Sequence, residues 1–253
     1  MGSDDARNAL LGRLIDHAPT FPPASLLPGE ALAEDARARV SPHAFVLARL
    51  VWPASRLDEL SPSTRAISAV LDAPLPEGAA VEAVEARYRD ELGELAELAG
   101  DVYVEVVVDD ALEDRLDALA EHGLRAKVRC GGDAVPSGAQ LARFVRACGE
   151  RDLAFKATAG LHRAVRTNGE HGFLNLLAAA VFAGDEEEAL AEEDESAIAV
   201  TAEALTWRER SAGPEEIARV RQELFVGFGS CSAQEPIDGL ETLGLLPGAE
   251  VEL

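Results

Sequence analysis

Apolar runs alternate with amphipathic stretches along this chain, a rhythm that predicts βα repetition around a mostly parallel sheet. The segment AFVLARLVWP, residues 44–53, is rich in Val and Leu and is stopped by Pro53, so it reads as a strand. AISAVLDAPLP gives a second one, followed by a turn. AAVEAVEARYRDELGELAELAG then places apolar residues at helical spacing and ends at Gly100, which predicts a helix. DVYVEVVV carries the clearest strand pattern, and DDALEDRLDALAEHG follows it as a helix with acidic caps and a stop at Gly123. LRAKVRC, SGAQLARFVRACGERD and LAFKATAG continue as strand, helix and strand. GFLNLLAAAVFAG reads as a helix apolar on every side, and DEEEALAEEDES as a solvated acidic face or loop. AIAVTAEALTW, with its β-branched start, leans towards a strand. GPEEIARVRQEL is a helix with proline near its start, and FVGFGSCS closes the series as a strand.

With LLGRLIDHAPTFPPASLL supplying a first strand, the predicted strands lie near 12–17, 44–51, 66–71, 102–108, 124–130, 153–158, 197–202 and 225–230. Eight strands interleaved with helices in 253 residues have the dimensions of a single-domain (β/α)8 barrel of the TIM type. The first and seventh strands have the weakest patterns, so an incomplete or seven-stranded barrel is the alternative. An open doubly wound sheet is the main rival, but no GxGxxG or GxxxxGK[ST] follows the first strand.

Charge narrows the range of partners. There are 46 acidic residues against 23 basic ones, a formal net charge of −23, which argues against nucleic-acid and membrane partners. Only two of the basic residues are lysines, and this depletion combined with acidity resembles proteins of salt-accumulating organisms. The odd cysteine count without CxxC spacing argues against a disulfide framework. The opening MGSDDARNALLGRL has no basic segment leading into an apolar core, and LLAAAVFA is too short to cross a bilayer; a cytoplasmic location is the expectation.

The two lysines both fall inside predicted strands. Alternation puts Arg125, Lys127 and Arg129 on one face and Ala126 and Val128 on the other. The apolar face packs under helices, so the charged face points into the barrel. By the same rule Tyr103, Glu105 and Val107 share a face, as do Lys156 and Thr158, and Arg49 sits mid-strand. Arg49, Glu105, Lys127, Arg129 and Lys156 should therefore meet in one interior, as a neutralised structural network or a functional site. RCGG, TAGLH and GSCS follow the charged strands, and the amides of Gly131, Gly132 and Gly160 could hold an anion there. Ordinary tight turns would need the same glycines. His162 lies just past its strand as an acid/base candidate, and the proline loop after His17 could line the barrel mouth.

Lys156-Ala-Thr-Ala-Gly160 resembles the Lys-Thr-Ser-Thr-Gly motif of class I aldolases of the deoxyribose-phosphate type, which are (β/α)8 barrels with a Schiff-base lysine on the sixth strand. LAFKATAG is the sixth strand in the count above. That family carries a second lysine on its seventh strand; AIAVTAEALTW has none, and Lys127 on the fifth is the substitute considered. Over most of its length the chain also resembles an uncharacterised family of bacterial and plant proteins, through FPPASL, KVRCGG, KATAGLH, HGFLNLL and FGSCSAQEPIDGLETLG. Where that family has a second histidine after GLH, this chain has Arg163.

Three functions stay open. The first is a Schiff-base lyase or aldolase acting on a small anionic carbonyl metabolite. In it Lys156 is the nucleophile, its pKa lowered by Lys127 and Arg129, and Glu105 or His162 moves the proton. Arg49, Arg129, Thr158 and the three glycines bind substrate, and no cofactor is expected. The second is a non-catalytic barrel binding an anionic metabolite or a protein partner. The third is a metal-assisted hydrolase or lyase using Cys130, His162 and Cys231.

Overall fold

The computed structural model describes residues 5–60, 65–132 and 135–246. Eight parallel strands close into a barrel in sequential order: β1 (Ile15–His17), β2 (Leu47–Pro53), β3 (Ile67–Val70), β4 (Ala83–Arg87), β5 (Asp101–Glu105), β6 (Arg125–Arg129), β7 (Phe155–Thr158) and β11 (Phe225–Ser230). The last strand pairs with the first, Ile15 opposite Phe228 and His17 opposite Ser230, so no edge is left open. The expected (β/α)8 barrel is what the chain forms, and the barrel is complete.

It departs from the predicted strands in two places. Residues 197–202 lie outside the barrel: β8 (Ile198–Val200), β9 (Leu205–Trp207) and β10 (Arg210–Ala212) form a small antiparallel sheet. Ile198 and Val200 pack onto the main core while Ala199 is exposed, so the alternation was real but served a different sheet. The missing barrel strand is β4, inside the stretch read as a helix. Its sequence AVEAR satisfies both periods, and pairing with β3 and β5 on both sides overrides the helical preference of Ala and Glu. Only the five-residue helix α3 (Leu92–Ala96), preceded by α1 (Ala6–Leu11) and α2 (Pro28–Ala38), comes from the remainder of that stretch. The two departures cancel in the count of eight but move the three strands between them by one. Lys127 is on the sixth barrel strand and Lys156 on the seventh.

Around the barrel run α4 (Leu112–Glu121), α5 (Gly138–Gly149), α6 (Phe173–Val181), α7 (Glu186–Ala191), α8 (Pro214–Glu223) and α9 (Gln234–Thr242). α5 starts on a capping box in which Ser137 and Gln140 satisfy each other's backbone amides. Every residue of α6 is buried, as its all-apolar pattern predicts, because α5, α7 and α8 cover it. No helix among the described residues is long and apolar enough to cross a membrane.

Candidate active site

The barrel interior is polar, and it is layered. At the N-terminal end, Asp101 accepts from Arg49 at 2.7 Å and pairs with Arg125 at 2.6 Å, while Arg49 also reaches Glu82 at 2.8 Å. Tyr103 sits above this layer, its hydroxyl accepting from Arg125 at 3.1 Å. Arg49 therefore faces inward as alternation predicts, but it closes the bottom of the barrel rather than lining a binding cavity.

The middle layer is a chain of ion pairs. Lys156, fully sealed, donates to Asp16 at 2.5 Å and to one oxygen of Glu85 at 2.7 Å. The other oxygen of Glu85 accepts from Lys127 at 3.2 Å, and Ser68 donates to Glu85 at 3.0 Å. Lys127 continues to Glu105 at 3.1 Å, and Glu105 lies 4.0 Å from Arg129. Three carboxylates and three cations thus alternate from Asp16 to Arg129. Burial alone would raise the Glu85 carboxyl, but the charges of Lys156 and Lys127 bring it down to about 2. Burial would likewise lower the Lys156 ammonium, and Asp16 and Glu85 more than reverse that, so its pKa is raised. The expected depression of Lys156 by neighbouring cations is therefore corrected: its contacts are anionic, and it is held as an ammonium.

Above this chain a cavity of about 1010 Å³ opens at the C-terminal ends of the strands, where barrels of this type place their sites. Its lining includes Lys127, Glu105, Arg129, Gly131, Gly132, Thr158, Gly160 and His162, eight of the ten residues singled out from sequence. Lys156 and Arg49 lie beneath it. Phe21, Pro22 and Pro23 form part of its mouth, as a proline loop there would. His17 instead faces outward, buried between Glu34 at 3.3 Å and Asp35 at 3.1 Å. His162 stands at the rim, 2.8 Å from Glu235.

The loops after β6 and β7 touch backbone to backbone. A Cβ on Gly131 would sit 2.6 Å from the Gly160 Cα, so both positions require glycine. Gly132 and Gly160 also adopt φ of +85° and +68°. Among the described residues the amides of Gly131, Gly132 and Gly160 have no hydrogen-bond acceptor, and the buried Thr158 hydroxyl has no partner. All four residues line the cavity. The HGFLNLL motif has an architectural role: Asn175 accepts from the Arg166 amide and donates to the carbonyls of Ala189 and Glu192, while His171 bonds the Pro136 carbonyl.

Sequence reasoning missed Asp16, Ser68, Glu85 and Arg87. Glu85 and Arg87 were hidden because β4 was read as a helix. Asp16 was within a predicted strand, and its inward position was available from the same alternation that exposed Lys156. Cys130, His162 and Cys231 do not gather with other ligands: no group of three His, Cys, Asp or Glu suited to a metal occurs among the described residues. Burial pushes the Cys130 thiol up to about 12, so it stays protonated.

Neither a family model nor a curated protein matches this chain.

Proposed function

We propose that the cavity carries out lyase-type carbonyl chemistry on a small anionic metabolite through an imine formed on Lys127. The observation that carries this reading is the placement of Lys127 at the cavity floor. Its amine bridges Glu85 and Glu105, with the sealed charge of Lys156 on the opposite oxygen of Glu85. Lys156 lacks access to the cavity and is the electrostatic neighbour, not the nucleophile. The strand numbering supports this exchange of roles. In the resembling aldolases the Schiff-base lysine and the second lysine occupy the sixth and seventh strands, here the strands of Lys127 and Lys156. The Lys-Ala-Thr-Ala-Gly motif itself is then on the seventh strand, so strand position, rather than motif, favours Lys127.

In the step proposed, Lys127 passes a proton to Glu105 and its lone pair adds to the carbonyl carbon. The C–N bond forms as the carbonyl π pair moves to oxygen, which takes the proton from Glu105. A second proton moves from nitrogen to that oxygen, water leaves, and the iminium remains. Removal of a β-hydroxyl proton by Glu105 or His162 then breaks the adjacent C–C bond and delivers its electron pair to the enamine. Protonation of the enamine and hydrolysis return the lysine. Amides of Gly131, Gly132 and Gly160, with the Thr158 hydroxyl, receive the far polar end of the substrate.

Borohydride reduction in the presence of a panel of aldehydes and 2-oxo acids tests the reading. A stable adduct is expected on the peptide containing Lys127, and Lys127→Arg, which keeps the charge but cannot form an imine, should abolish it. No adduct with any member, or one that survives Lys127→Arg, would overturn it. A barrel that only binds anions is the second reading, favoured by the fully neutralised ion-pair chain; there Lys127→Arg retains ligand binding and no probe is trapped. The metal-assisted reading has no comparable support, since its three residues stand apart.

A further inference from the structure

Arg87, on β4, stands outside the neutralised chain. It lines the cavity, it is exposed, and among the described residues no carboxylate pairs with it. In a chain with 46 acidic residues against 23 basic ones, an unpaired arginine at a cavity wall is an exception that calls for an incoming anion. Arg129 is not equivalent. It keeps a 4.0 Å contact to Glu105, and its guanidinium leans over the loop at Gly132.

The register places Arg87 close to the amine. Arg87 is opposite Glu105, and Glu105 is opposite Lys127. Through its bonds to Glu85 and Glu105, the Lys127 amine leans away from β7 and towards β4. Glu85 and Arg87 share a face of that strand, two residues apart, so their Cα atoms are separated by about 6.6 Å. A carbonyl carbon bonded to the Lys127 amine is then on the side of the barrel that carries Arg87, which is one inward position nearer the mouth than Glu85. A carboxylate attached directly to that carbon extends towards Arg87.

Charge counting leads to the same substrate. The chain from Asp16 to Arg129 has three anions and three cations, and conversion of the Lys127 ammonium to an iminium leaves that balance unchanged. Of the other carboxylates in the lining, Asp72 is held by Ser55 and Glu170 by Arg163. Arg129 keeps its 4.0 Å contact to Glu105, so Arg87 is the lining cation with no carboxylate partner among the described residues. A neutral aldehyde would leave it without a counter-charge, and a 2-oxo acid supplies one. We infer that the site takes a 2-oxo acid, whose carboxylate is held by Arg87 while its keto group engages Lys127. The identity of the keto partner rests on the imine reading above; the carboxylate assignment does not.

The test compares pyruvate with its methyl ester in reductive trapping by cyanoborohydride, read by intact mass. The wild type should trap pyruvate at least about 10-fold faster than the ester. Arg87→Gln should slow pyruvate trapping about 10- to 100-fold, the range for losing a charged hydrogen bond, and leave the ester within about twofold. An unchanged preference in Arg87→Gln overturns the inference. Oxalate binding by calorimetry reads the carboxylate site without any imine. A loss of about 10-fold or more in Arg87→Gln supports the assignment even where no probe is trapped, in which case the imine reading alone has failed. Equal oxalate binding in the two proteins, or none in either, overturns it. Arg87 is exposed and unpaired, so Tm should be unchanged by the substitution.

Discussion

Glu85 is the residue on which the interior turns. It holds both lysines, one on each oxygen, and takes a third hydrogen bond from Ser68. A carboxylate that is nearly 98% removed from solvent costs several kcal/mol in desolvation unless its partners are in place, so Glu85 and Lys156 stabilise the barrel only as a unit. Its pH dependence follows with a definite sign. The folded pKa, about 2, lies below the ordinary 4.5. The stabilisation is therefore complete above about pH 4.5 and is lost as pH falls towards 2, an effect on the order of 3 kcal/mol. Urea unfolding midpoints between pH 5 and 2.5 should fall steeply in the wild type and less steeply in Glu85→Gln, which has no proton to gain. Equal slopes would mean that Glu85 does not titrate in this window. At this scale alternation told which residues face inward, and it was right for Arg49, Lys127, Glu105 and Lys156. It could not tell depth. Whether an inward side chain closes the bottom or reaches the cavity depends on the register with neighbouring strands, which no single strand encodes.

Among the elements, the least legible was β4. AVEAR has its small apolar residues at spacings that suit a helix and a strand alike, and Ala and Glu favour the helix. The deciding contacts are non-local, on β3 and β5, and so were invisible in the sequence. The loops after β6 and β7 were more legible. Their glycines stood out, although turn formation and ligand approach predicted the same residues. The structure adds a third cause, the contact between the two loop backbones. Gly131→Ala should therefore destabilise the protein by about 1–3 kcal/mol, the range for overpacking, because its Cβ meets the Gly160 backbone, which cannot rotate away as a side chain would. Gly138→Ala, at the start of α5 and with nothing within 4 Å of its Cβ, is the control and should be neutral or stabilising. Comparable denaturation curves for the two variants would remove the proposed loop-to-loop contact.

For the molecule as a whole, the net charge of −23 sets a repulsion that the ion-pair chain inside the barrel does not relieve, because that chain is neutral. Salt screens exposed charges over a Debye length of about 10 Å at 0.1 M, and buried pairs much less. Raising NaCl from about 0.05 to 1 M should therefore increase Tm by a few degrees, with the acid transition assigned to Glu85 keeping its midpoint. A Tm that falls with salt would show that attractive surface pairs outweigh the net repulsion. The barrel itself was legible at this scale because eight strand-like segments in 253 residues leave few other architectures, even with one of the eight lying outside the barrel and one barrel strand missed.

Closure of that barrel joins the two ends of the described chain. β1 pairs with β11, and the Arg221 guanidinium donates to the carbonyls of Leu10 and Gly12. During synthesis β1 precedes its partner and waits for it until residue 225 has left the ribosome. At roughly 5–20 residues per second this interval is on the order of ten to forty seconds. Throughout it one edge of β1 stays open, and Asp16 has no lysine for most of that time. A growing chain of this protein therefore passes through a stage in which β1 keeps an open edge, and chaperone contact should include Ile15–His17 until β11 is made.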